Sequence, residues 1–169
     1  MTSHRAMLIL AYFFSTHFRS AQPTFTSTSL ETAMTKKFWM AFIAVFVAAI
    51  VLDMVIYTVI LGSAFKSLTV WRPDQDSLWW IYPIISLVGS FFFTLIFSKG
   101  YEGKGIAEGI RYGLYVGIWL SIGMAYGTYG MVAMPYGLTL EWFLLGVVAY
   151  IVMGIVAALV YGKKPAPTA

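Results

Sequence analysis

The chain has 169 residues, of which 60% are apolar, 18% aromatic and 11% charged, against about 45–50% apolar and about 25% charged in soluble domains. It contains no cysteine, which excludes a disulfide framework, a thiolate metal site and a cysteine nucleophile. The two histidines, His4 and His17, lie in the N-terminal segment, so the apolar remainder has no imidazole for zinc, haem or base catalysis. No metal or cofactor site is expected. The net charge of +4 is modest and its basic residues flank apolar runs, a pattern of membrane topology and not of a nucleic-acid surface.

Residues 1–33 are rich in Ser and Thr and carry an apolar patch, Ala6 to Phe14. They fit an extension from an early start codon, a targeting segment or a functional tail, because Met34-Thr35-Lys36-Lys37-Phe38-Trp39 is itself a natural beginning for a membrane protein. Residues 34–162 form the expected transmembrane domain. The first span is expected over about 38–61, long enough for the ~20 residues a bilayer core requires. A polar loop with Lys66, Arg72, Pro73, Asp74 and Asp76 leads to a second span over about 78–98. The turn KGYEGK, 99–104, precedes a third over about 105–132. Met134-Pro135-Tyr136-Gly137 breaks it, and the fourth covers about 139–161, with Thr139 as its N-cap and Glu141 in its first turn. Residues 163–169 are a polar tail.

Seven basic residues (Lys36, Lys37, Lys99, Lys104, Arg111, Lys163 and Lys164) fall on one side of these spans, and Lys66 and Arg72 fall on the other. The positive-inside rule then puts both termini in the cytoplasm of a bacterial inner membrane. Trp39 falls at the inner boundary, and Trp71, Trp79, Trp80 and Trp142 at or near the outer one. The expected architecture is an all-α, polytopic, up-down-up-down bundle of four transmembrane helices.

The third span is the most patterned. Small residues recur at every fourth place: Gly105, Gly109, Gly113, Gly117, Ser121 and Ala125, with Gly123 and Gly127 on another face. In water each helical glycine costs ~1 kcal/mol. In lipid the backbone must bond to itself, and missing side chains admit a close neighbour. The rest of the bundle is expected to pack around this helix. Tyr112, Tyr115, Trp119, Ile122, Tyr126 and Tyr129 follow a 3-4-3-4-3 spacing and draw an aromatic seam. That seam fits either core or the wall of a pocket for a flat lipophilic molecule. Tyr and Trp need partners for their OH and NH groups, and the stripe Tyr82, Ser86, Ser90, Thr94 and Ser98 on the second span could supply them. Glu108 and Arg111, three apart, have ion-pair spacing at the cytoplasmic interface, which fits either an interface anchor or a docking point for lipid headgroups or a cytoplasmic partner, helped by Lys99 and Lys104.

Asp53 is the sole acid away from the ends of an expected span, with Tyr57 one turn further out, and Tyr82 and Ser86 at roughly its depth. An intramembrane acid costs ~3 kcal/mol and normally faces protein or water. Asp53 fits a hydrogen-bonded packing role or a proton or cation site. No phosphate loop, G-x-S-x-G, H-E-x-x-H or close pair of carboxylates occurs, so an enzyme is not expected.

The segment GKGIAEGIRYG, 103–113, with the acid of the first span and the WRP of the first loop, resembles a kind of small four-helix bacterial membrane protein. That resemblance implies the bundle and no activity. In layout the chain is also similar to small multidrug transporters, which carry a carboxylate in helix one and glycines with aromatics in helix three. They use Glu, are shorter, and in some members insert in both orientations, whereas the charge bias here implies one. The expected function is a helix-packing or accessory role, as a homo-oligomer or as a subunit of a larger membrane complex. Its expected partners are the lipid bilayer and other transmembrane helices, with no nucleic acid. The alternative is a small proton-coupled transporter or lipophilic-ligand binder using Asp53.

Overall fold

The computed structural model describes residues 36–69 and 74–162. The expectations for residues 1–33, for Trp71-Arg72-Pro73 and for the tail 163–169 lie outside them. The described residues are helical, with no strand among them. Helix α1 is Lys36–Met54, and it runs directly into a π-helical turn, Val55–Ile60. A short helix α2, Gly62–Lys66, and a 3-10 turn, Gln75–Leu78, follow. Helices α3 (Ile81–Gly100), α4 (Ile106–Tyr129) and α5 (Tyr136–Tyr161) complete the chain.

Three of these are long and apolar enough to cross a membrane: Lys36–Ile60, Ile81–Gly100 and Tyr136–Tyr161. Their sequences are apolar almost all round, as lipid-facing helices must be. Pro83 sits in the first turn of α3, where its missing N–H breaks no helical bond. Helix α4 has 24 residues, enough length at about 1.5 Å per residue. Its glycines, its tyrosines and the charges of Glu108 and Arg111 leave it less apolar than the other three.

Boundaries shift by a few residues from the sequence expectation. Helix α5 begins at Tyr136, with Pro135 as its extended N-cap residue. Thr139 is therefore inside the helix, not its cap, and its hydroxyl leans on the Pro135 carbonyl at 3.3 Å. Proline's fixed φ favours the helix entry there.

The packing order corrects the expectation that the bundle gathers around the glycine-rich helix. The most extensive contact is indeed between α4 and α5, but α5 also packs on α1 and narrowly on α3, while α1 packs on both α3 and α5. The hub is therefore α5, and α4 sits at the side, with its close backbone contact on that one helix. Two buried clusters mark the core. One joins Val45, Ala49, Phe93, Phe97, Met153 and Ala157, and the other joins Ile56, Leu61, Ala125, Leu138 and Trp142.

The α4–α5 seam is a backbone-to-backbone contact. Gly109 lies against Gly154 and Ala158, Gly113 against Tyr150 and Ile151, Gly117 against Val147 and Tyr150, and Ser121 against Gly146. Partner numbers fall as glycine numbers rise, so the two helices run antiparallel. A Cβ added at Gly113 would overlap the Tyr150 carbonyl, and one at Gly117 would stand 3.1 Å from the Val147 Cα. With no hydrophobic drive between helices in lipid, such close van der Waals fit is what holds them.

Candidate functional site

Asp53 is half-buried near the end of α1, and the Ser86 hydroxyl of α3 donates to its Oδ2 at 2.9 Å. The π-helical turn starts two residues later, closed by a bond from the Leu61 N–H to the Ile56 carbonyl at 2.8 Å. The run VIYTVI is rich in β-branched residues, and Thr58 donates its hydroxyl to the Met54 carbonyl, competing with the ordinary ladder. A π turn holds more residues than an α turn, so side chains beyond it leave the face that α spacing assigns them. Tyr57 is the case in point. It turns to α5, where the Trp142 Nε1–H donates to its hydroxyl at 2.8 Å. Phe65 completes the cluster, 5.2 Å from the Trp142 ring and 6.0 Å from that of Tyr57. The structure thus ties α1 to α3 through Asp53 and to α5 through Tyr57. Tyr82 stays exposed.

Trp142, expected among the boundary tryptophans, is 7% exposed and belongs to the core. Trp79 and Trp80 are exposed. The hydroxyl stripe of α3 divides. Ser86 serves Asp53, and Ser98 donates to its own helix at the Leu95 carbonyl, 2.7 Å away. Ser90 and Thr94 are buried with hydroxyls that meet no partner. The tyrosines of α4 do not use this stripe: Tyr112 donates to the Phe93 carbonyl at 2.7 Å, and Tyr126 meets the Tyr136 hydroxyl at 3.4 Å.

The aromatic seam of α4 also divides. Tyr112 turns inward onto the rings of Phe93 and Phe97, 4.8 and 5.2 Å away. Tyr126 packs on Phe143. Tyr115, Trp119, Ile122 and Tyr129 face outward. Gly109, Gly113 and Gly117 are filled by α5, as described above. Gly123 and Gly127 are not: a Cβ built at either meets nothing within 4 Å. Gly105 is the N-cap of α4, with φ +75°, a conformation suited to glycine. Its role is the turn and not a helix face.

That turn has a centre the sequence did not announce. Glu108, 5% exposed, accepts the backbone N–H of Glu102 at 2.6 Å, of Gly103 at 3.1 Å and of Lys104 at 2.9 Å. Gly103 has φ +93°, so two glycines in left-handed conformations bracket Lys104 and curl successive N–H groups inward as a nest. The carboxylate is fully engaged there, so the expected Glu108–Arg111 pair is replaced. Arg111 approaches Glu102 at 3.9 Å, and Glu102 pairs more closely with Lys104. The hydrogen bond and charge of Lys104 hold the Glu102 carboxyl below its usual range. Tyr101 donates to the Gly162 carbonyl, and Lys37 reaches the Tyr161 carbonyl at 3.4 Å. The start of α1, the end of α5 and the α3–α4 turn therefore meet at one end. Burial, with the nearby Glu108 charge, raises the Tyr101 hydroxyl above its ordinary value.

A signal for the nest was present. Glu at the third helical position after a glycine-flanked turn is half of a capping box. No family model, curated protein or solved structure matches the sequence.

Proposed function

We propose that the protein is a four-span inner-membrane subunit that packs against other transmembrane helices through the outer face of α4. In this reading α1, α3, α4 and α5 run up-down-up-down with both termini in the cytoplasm, and the protein is not an enzyme. One observation carries it. Gly123 and Gly127, four apart, lie on an open face of a helix that is already the least apolar of the four. A span of glycine, tyrosine and tryptophan gains less from lipid than from a second helix, and a small-xxx-small pair lets that helix approach closely. The sequence offers Gly113 and Gly117 equally as small residues that admit a close neighbour. Those glycines serve the α5 contact within the chain, so the association surface moves to the opposite side.

The test is native mass spectrometry of the full chain, extracted in mild detergent, beside the variant with Gly123→Leu and Gly127→Leu. The expected result is a homo-oligomer or a stoichiometric complex for the parent and a monomer of unchanged thermal stability for the variant. Identical masses for both would remove this face from the account.

A second reading is favoured by the Asp53–Ser86 bond beside the π turn, because π turns gather at functional sites. Here Asp53 is a proton or cation site of a small transporter. Proteoliposomes loaded with tetraphenylphosphonium, a flat-ringed lipophilic cation, would show release driven by a pH gradient and lost in Asp53→Asn. Equal release from parent and variant would exclude Asp53 from transport.

A further inference from the structure

Helices α3 and α4 are consecutive, yet they are not close neighbours. The rings of Phe93, Phe97 and Tyr112 stand between them. Beyond those rings the two backbones leave an open cleft of about 310 Å³, lined by Ile96, Phe97, Gly100, Glu108, Arg111, Tyr112 and Tyr115. A Cβ at Gly100 would meet nothing within 4 Å. The cleft is apolar along its walls and charged at its mouth.

We propose that this cleft binds one anionic phospholipid, with an acyl chain along Ile96, Phe97 and Tyr115 and the phosphate on the Arg111 guanidinium. The proposal rests on the membrane placement of the chain and is independent of what α4 packs against.

Three observations select this occupant. The first is lining. The walls formed by Ile96, Phe97 and Tyr115 are apolar, as an acyl chain requires. The second is charge. The Glu108 carboxylate is already held by three backbone N–H groups, and Glu102 is paired with Lys104. Arg111 reaches Glu102 only at 3.9 Å, beyond hydrogen-bond range, and half its side chain is exposed. Its planar fork suits a phosphate. A zwitterionic headgroup would bring its own cation against Arg111 and Lys104. The third is depth. Arg111 is five residues into α4, about 8 Å from its start, which is the headgroup level when the turn before it lies at the membrane surface.

The test uses the full chain in mild detergent and native mass spectrometry, with added dioleoylphosphatidylglycerol, dioleoylphosphatidylcholine or inorganic phosphate. The expected result is one retained phosphatidylglycerol per chain, bound about five- to tenfold more tightly than phosphatidylcholine, with no competition from inorganic phosphate. Arg111→Gln should erase the preference between the two lipids. Ile96→Trp, at a position already facing outward, should fill the cleft and weaken retention of both, and the thermal melt of each variant checks its fold. Equal retention of the two lipids by the parent overturns the proposal. So does phosphatidylglycerol binding that survives both variants, and so does displacement by inorganic phosphate, which would mark a free-anion site.

Discussion

The two sides of α5 are joined to the rest of the molecule by opposite means. Toward α4 the contact is bare backbone: Gly109, Gly113 and Gly117 against Gly154, Tyr150 and Val147. Toward α1 it is side chains, with Tyr57, Phe65 and Trp142 interlocked by rings and one hydrogen bond. The first kind of contact has little slack, because backbone meets backbone and a backbone cannot move aside as a side chain can. The second keeps polar groups near Asp53 and the π turn. A close fit of backbone on backbone is a structural joint, whereas a hydrogen-bonded joint beside an acid is where chemistry or movement has room.

That contrast orders the expected effects of substitution. Gly113→Leu should be the most damaging, because its side chain would have to displace the Tyr150–Ile151 backbone. A loss of about 3 kcal/mol or more is expected, visible as a large drop in melting temperature in mild detergent. If the melt is unmoved, the seam is not the rigid joint. Glu108→Ala comes next. It strips three part-buried backbone N–H groups of their charged acceptor, at about 2 kcal/mol, and hydrogen exchange should quicken at residues 102–104 while α5 stays protected. Trp142→Phe keeps the ring contacts and removes only the bond to Tyr57. About 1 kcal/mol is expected, and a much larger loss would mean the α1–α5 side is as rigid as the seam. The smallest effect belongs to Lys104→Gln. The Glu102 carboxyl, held low by Lys104, should then titrate at higher pH, as carboxyl NMR shifts would report. The sign follows from the lowered value. The small stabilisation from this surface pair is present above the ordinary carboxylate pKa and is lost as pH falls through the lowered one.

How much of this was legible beforehand depends on what each signal encodes. Small residues at every fourth place mean close helix packing, because spacing and side-chain size are properties of the sequence alone. Which of two glycine faces finds its partner inside the chain is not, since that depends on where α5 lies. Gly113 and Gly123 look alike in the sequence and differ completely in surroundings. Tyr57 was placed one turn from Asp53 by α spacing, but its bond to Trp142 depends on where α5 lies and on the π turn that begins between the two residues. Nothing in VIYTVI announces that turn beyond its β-branching. Trp142 has a polar handle that suits a membrane boundary, and only the position of Tyr57 draws it into the core. Glu108 and Arg111 had ion-pair spacing, but three N–H groups in a glycine-bracketed turn compete better for a carboxylate than an exposed guanidinium does. Thr139 lost the cap of α5 to Pro135 because proline's fixed φ sets the entry earlier. The apolar composition pointed to helices able to cross a membrane, and three of the described helices are long and apolar enough to do so.

The most direct test of the central claim uses the absence of native cysteine. Single cysteines placed at Gly123, on the open face of α4, and at Val47, on an exposed part of α1, would be labelled with a benzophenone maleimide in native membranes, irradiated and resolved by electrophoresis. The account predicts a discrete cross-linked product from position 123 and none from position 47. Equal cross-linking at both positions, or none at either, would contradict the assignment of α4's outer face as the surface that takes another helix.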